Sequence, residues 1–201
     1  TGQFLITIPK AIAFARQQYK KKNPNLVAEI DSWDDETFLN KSRICINGGV
    51  TQSALLLLGR VAIEREAWEE GRRHLLHALS VAPDFFLAHY YLGRIAEAQE
   101  RFDEALDRYR ASVRLRPLFA KGRIAIGGVF EKRGRFARAL DAYDEAIRLW
   151  PGWWEAQTCR GRVLLGMERP REALAAFLRA LEAEPRQAVC HAGAGEALLA
   201  A

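Results

Sequence analysis

Four histidines, three cysteines and two short runs of like charge are the residues in this sequence suited to catalysis or metal binding. His74 and His77 lie three residues apart, which puts both on one helix face and would suit a metal ion. No third ligand stands near them, so a surface or groove-edge pair is the expected role. Cys45, Cys159 and Cys190 form no C-x-x-C or other ligand spacing, and an odd, sparse set fits buried thiols in a reducing compartment. Asp34-Asp35-Glu36 lacks the ordered loop pattern of a calcium site and reads as the acidic first turn of a helix through Phe38 and Leu39. Lys20-Lys21-Lys22 reads as a solvated helix end whose cations suit the C-terminal dipole, rather than as a phosphate-contacting patch. The sequence holds no phosphate-binding glycine loop, no G-x-S-x-G elbow and no H-E-x-x-H. The expectation is a protein that is not an enzyme, with no cofactor and no metal.

The elements that would position these residues are set by a ladder. Glycine recurs at Gly59, Gly93, Gly127, Gly161 and Gly195, every step 34 residues, and proline keeps the same step at Pro83, Pro117, Pro151 and Pro185. Two interlocked series at one period define a repeat protein from about residue 52. The units are 52–85, 86–119, 120–153 and 154–187, with a half unit 188–201. In 86–119, Leu92, Gly93 and Ala96 belong to a first helix, Ala105, Tyr109 and Ser112 to a second, and Pro117 closes the unit. A glycine inside a helix costs about 0.8–1 kcal/mol against alanine, so five of them need a return. The expected return is close approach of the antiparallel second helix, with Tyr109, Tyr143 and Phe177 filling the space between units. Phe85, Phe119 and Trp153 follow the prolines and are expected to staple onto the next helix rather than form a stacking platform for bases. Trp150 and Trp154 would add an apolar patch at the third junction. His89 and His191 occupy matching repeat positions, which points to structural placement.

Residues 1–51 are out of register. Five of their seven basic residues are lysine, against two of 23 afterwards, and Asn47-Gly48-Gly49 is a turn signal at the boundary. Pro9 can open a helix running to about Lys22, and Leu26–Ile30 reads as a short strand or a helix start. The chain carries 201 residues, 49% of them hydrophobic, with a net charge of +5 and a pI near 9.3. That is ample for burial and only mildly basic. No apolar run approaches the ~20 residues of a membrane span. A start at Thr1 and a stop within an apolar helix pattern suggest a piece of a longer protein, expected in the cytoplasm.

The period, small-residue positions, aromatic position and terminal proline together resemble the tetratricopeptide repeat, a 34-residue helix–turn–helix family. Departures are Gly71, Arg160, and His89, Arg123 and Gln157 in place of an early bulky residue. The resemblance implies an all-α fold, a right-handed α-α superhelix after a mainly helical N-terminal segment. It also implies that the first helix of each pair lines a concave groove.

Groove columns should then recur at the repeat period. One column reads Arg60, Arg94, Gly128, Arg162 and Glu196, a second Leu56, Tyr90, Ile124 and Thr158, and a third Ser53, Leu87, Lys121 and Glu155. One turn further stand Ile63, Glu97, Glu131 and Leu165. Three arginines one or two repeats apart suit an extended partner peptide carrying carboxylates, which guanidinium binds bidentately. The alternative is that they pair with Glu64, Glu97 and Glu131. The lysine–asparagine clamp of chaperone-binding members is not reproduced. The function expected is a scaffold binding a peptide or helix of another protein. RNA binding ranks lower, because residues 52–201 interleave 23 basic with 20 acidic side chains. A regulatory or assembly module of a larger enzyme is the third option. The uncovered half unit 188–201, with Ala194, Ala197, Leu198 and Leu199, is expected either to continue in a longer chain or to pack against another copy.

Overall fold

The computed structural model describes residues 16–17, 20, 27–32 and 49–201. The readings of Cys45, of Asp34–Glu36 and of Asn47-Gly48 lie outside these residues. Val27–Ser32 is a short helix, which settles the choice between strand and helix there. Lys20 pairs with Asp31, so that lysine has an acidic partner as well as solvent. By compactness the chain divides into Thr1–Ile95 and Ala96–Ala201.

From residue 49 onward the described residues form paired helices. They are α1 (Gly49–Glu64) with α2 (Trp68–Val81), α3 (Phe86–Ala98) with α4 (Phe102–Leu115), α5 (Ala120–Lys132) with α6 (Phe136–Leu149), and α7 (Trp154–Gly166) with α8 (Pro170–Ala183). A last helix, α9 (Ala188–Ala200), follows alone. α5 and α7 are apolar on more than one side, because each contacts its own partner helix and the second helix of the preceding pair. Second helices are amphipathic, with small or aromatic residues on one stripe: Ala139, Ala142, Tyr143 and Ala146 are the buried set of α6.

Three ladder glycines, Gly59, Gly127 and Gly161, are points of close approach. A Cβ on Gly127 would lie 2.5 Å from the Tyr143 ring, on Gly161 2.8 Å from Phe177, and on Gly59 2.7 Å from Leu75. Phe177 is held from the other side too, since a Cβ on Gly193 would come within 2.5 Å of it. Gly71, a departure in the sequence pattern, sits 3.2 Å by its virtual Cβ from the Gly59 carbonyl oxygen. Glycine faces glycine there, which lets α1 and α2 approach closely. The other departure, Arg160, donates from Nε to Asp144 at 2.7 Å, so its charge is paired where other units carry Leu58, Leu92 or Ile126.

The turn inside each pair repeats at 34 residues. Glu66, Glu100, Gly134 and Glu168 all have φ near +60°, in the left-handed region. The next residue's N–H bonds back five residues (Ala67 to Ala62, Arg101 to Ala96, Arg135 to Phe130, Arg169 to Leu164). These are Schellman closures, which satisfy the last carbonyls of the first helix and normally favour glycine. Only Gly134 complies.

Phe85 packs on the core of the first unit, and Trp153 packs against Ala120, Ala146 and Ala156 in the second, each beside the start of the following helix. Trp150 is 61% exposed and meets Trp153 edge-on. His74 differs from the surface or groove-edge reading. It is 7% exposed, with Glu70 3.7 Å away one turn earlier, because the α2 stripe that buries Leu75 and Ala78 also takes in position 74.

Gly127→Ala should lower stability by about 1–3 kcal/mol, because the new methyl must displace a buried ring. Glu100→Gly should raise it by up to about 1 kcal/mol by removing a left-handed penalty. Chemical denaturation of both variants beside wild type checks the opposite signs.

Candidate functional site

The side chains singled out in the groove columns fall into three physical situations. Leu56 is only 8% exposed and packs with Leu55, Ile63, Leu75 and Ile95, so it is a core residue and presents almost no surface to a peptide. Thr158 in the same column is also buried, its hydroxyl donating to the Trp154 carbonyl oxygen at 2.8 Å and lying 3.0 Å from Cys190 Sγ. Burial therefore differs among residues of one column. Tyr90 and Ile124 are half-buried and Lys121 is exposed.

The second situation is a linked pair of positions. The Tyr109 hydroxyl donates to Glu97 at 2.6 Å, and the Tyr143 hydroxyl to Glu131 at 2.7 Å, both across 12 residues. Both tyrosines are fully buried, and a buried hydroxyl without a partner is costly. The other two units carry no hydroxyl there. Leu75 goes with Ile63, and Phe177 with Leu165. The acid on the first helix thus appears only where the second helix brings a tyrosine.

Each of these glutamates also holds a cation from the next unit. Lys132 reaches Glu97 at 2.8 Å, while Arg162 grips Glu131 with Nε at 2.6 Å and Nη2 at 2.9 Å. The fork is bidentate, which strengthens it beyond a simple surface ion pair. The bond to the Glu131 carboxylate pushes Arg162 above its ordinary pKa. Burial raises the Tyr143 hydroxyl well above its own, with Cys159 and the bond to Glu131 acting the same way. Both groups stay protonated across the working pH range.

Cys159 completes this cluster, with Sγ 3.8 Å from Arg162 Nη2. Burial raises its pKa above the ordinary thiol value, against the opposing pull of Arg162. It is therefore a poor source of thiolate, which nucleophilic chemistry would need. Cys190 is fully buried, as expected of a packing thiol. Among the described residues no three His, Cys, Asp or Glu side chains come together as a metal-binding group.

The third situation is found in the first unit. Arg60 and Arg94 both lie over the ring of Tyr91, with guanidinium carbons 5.6 and 5.8 Å from its centre, and Tyr90 meets Tyr91 edge-on at 5.2 Å. Neither arginine has a carboxylate partner among the described residues. Tyr91 was not singled out in the sequence. The signal that would have found it is its place between the two arginines, one turn before Arg94 and beside the Arg60 helix.

Helix pairs, ladder contacts and turns agree with what comparison finds. The tetratricopeptide repeat profile matches residues 56–117, 96–152 and 160–201, and the chain belongs to that family. Its fold is the all-α superhelical repeat. A thermophilic TPR protein of Thermus thermophilus is similar at 19% identity, with a TM-score of 0.70, over 96% of this chain and all of that one. PilF of Pseudomonas aeruginosa is 23% identical at a TM-score of 0.69, over 74% of this chain and 68% of that one. YrrB, described as a TPR protein with an unusual peptide-binding site, is 20% identical at a TM-score of 0.63, over 92% and 91%. No curated protein matches the sequence. Among the described residues no helix is long and apolar enough to cross a membrane.

Cys159 should alkylate with iodoacetamide more slowly than a free thiol at pH 8, since a raised pKa leaves less thiolate at any given pH. The rate should climb only above the pH at which an ordinary thiol ionises. Peptide mapping by mass spectrometry, which separates Cys159 from Cys45 and Cys190, measures it, and a rate equal to free cysteine would contradict the burial argument.

Proposed function

We propose that this chain is a protein-interaction scaffold that takes an extended, acidic segment of a partner on its first-helix face, with Arg60 and Arg94 as the carboxylate-binding pair. The observation that carries the reading is electrostatic. Both guanidiniums rest on Tyr91 without a carboxylate partner among the described residues, whereas Arg162 is already taken by Glu131. Stacking on a ring holds a guanidinium in place and leaves its N–H edge for bidentate recognition. Tyr90 flanks this pair with half-buried aromatic surface. In the second unit, taken by itself, Lys121 and Ile124 offer a cation and an apolar contact on α5. Glu97 and Glu131 serve the reading indirectly, by consuming cations in the second unit. The likeness in fold to a protein described as having a peptide-binding site is consistent with this class of partner.

The test is binding of a fluorescent Asp/Glu-rich peptide followed by polarisation. Arg60→Ala with Arg94→Ala should weaken binding at least about tenfold, as loss of charge-assisted bonds worth about 1.5–3 kcal/mol implies. Arg162→Ala should change it little. Equal binding by all three proteins removes the groove-arginine proposal. Steep salt dependence on RNA, with no peptide bound, would favour nucleic acid instead.

Self-association has its own observation. On α9, Val189, Leu198 and Leu199 are 61%, 63% and 93% exposed, and a Cβ on Gly195 would meet nothing within 4 Å. The other ladder glycines for which the contact is resolved each meet a bulky side chain there. This apolar face suits a second copy of the chain. Sedimentation at rising concentration should show a dimer that Leu198→Asp with Leu199→Asp abolishes, and a monomer throughout would count against it.

A further inference from the structure

The junction after the third helix pair breaks the repeat at four positions that meet in one place. Elsewhere the residue six after each unit-closing proline caps that proline's carbonyl. His89 Nε2 donates to Pro83 O at 3.3 Å, His191 Nε2 to Pro185 O at 2.8 Å, and Arg123 Nη1 to Pro117 O. Arg123 also reaches Glu145 through Nε at 3.1 Å, so an ion pair fills the preceding junction. At the third junction the equivalent of Arg123 is Gln157 and the equivalent of Glu145 is Arg179. Leu118 becomes Gly152, and Leu149 becomes Ala183.

The result is a hollow of about 510 Å³ between the ends of α6 and α8, lined by Ile147, Gly152, Gln157, Arg179, Glu182 and Ala183 beside Pro151. A Cβ on Gly152 would meet nothing within 4 Å. Gln157 is 4% exposed, and its buried Oε1 receives no hydrogen bond from any group among the described residues. A buried acceptor without a donor costs about 1–3 kcal/mol, so the amide is placed for something that donates to it. Arg179 and Glu182 make no ion pair among the described residues and stand at the rim.

The geometry points to a second peptide site here, one that takes a short uncharged stretch of a partner's backbone together with an apolar side chain. A backbone amide carries the complementary pair of groups. Its N–H donates to Gln157 Oε1, and its carbonyl oxygen accepts from the Arg179 guanidinium. The aliphatic surfaces of Ile147 and Ala183 form the wall for the side chain. Opposite charges at the rim disfavour a ligand of strong net charge of either sign. The volume falls in the range of small-ligand sites. This site uses none of the groove arginines, so it stands or falls independently of the reading above.

N-acetyl-leucinamide is the probe, titrated into ¹⁵N-labelled full chain and followed by NMR. Saturable shifts of the Gly152 and Ala183 backbone amides and of the Gln157 side-chain amide are expected. Two filling variants use residues that the chain already tolerates at equivalent positions: Gly152→Leu with Ala183→Leu, and Gln157→Arg with Arg179→Glu. Each should weaken binding at least about tenfold with a melting temperature no lower than wild type. Where a double variant fails to fold, Gln157→His, which restores the proline cap, takes its place with the same expected loss. N-acetyl-aspartamide and N-acetyl-lysinamide should bind more weakly than the leucine probe. Linear, unsaturable shifts, which would mean a hollow filled by solvent alone, overturn the proposal. So do shifts that persist unchanged in the filled variants.

Discussion

The contact between a first-helix glycine and the bulky residue opposite it controls more of this protein than any other interaction. Separations of 2.5–2.8 Å from a virtual Cβ leave room for hydrogen alone, so the second helix is seated at one depth. The identity of the seated residue then matters. A tyrosine carries its hydroxyl to the far side of the glycine and needs an acceptor, which the first helix supplies as Glu97 or Glu131. A leucine or phenylalanine needs none, and there the first helix carries Ile63 or Leu165. A packing choice has become an electrostatic one.

That electrostatic choice propagates to the next unit. Each glutamate carries charge, is only part-exposed, and draws a cation across the junction: Lys132 to Glu97, Arg162 to Glu131. Among the described residues Arg60 and Arg94 have no such acid, and both lie over Tyr91. Three arginines that share a column in the repeat are thus unlike in chemistry. The difference traces back to which ring lies under which glycine.

Periodicity alone revealed the architecture: a helical repeat whose small-residue contacts, closing prolines and aromatic fillers follow the 34-residue step. What it did not reveal has a common physical cause. A repeat register gives a residue's angle and height on its helix, but not how far the neighbouring unit covers it. Leu56, Thr158 and His74 are therefore deeper than their columns suggest. Nor does register show long side chains reaching between units, as Arg162 does to Glu131 over 31 residues. The left-handed turn residues were hidden for a different reason. Glutamate occupies three of the four positions, and glutamate signals helix rather than turn.

Departures from a repeat carry the most local information, because the other units supply the control. Arg160 looked like an error in an apolar column until Asp144 was found to receive it, and Gly71 like a weak helix until Gly59 was found against it. Both are compensated within the fold. Gln157 is different in kind. The proline carbonyl that its equivalents cap is beside it, yet an amide oxygen buried there with no donor is compensated by nothing within the described residues. Small residues at 152 and 183 deepen that deficit instead of closing it, since each removes bulk that the preceding junction has. His89 and His191 cap the proline carbonyl from the position Gln157 occupies, so that cap is open to this chain. Gln157 forgoes that cap beside an open hollow, and so the hollow is best explained by something that enters it.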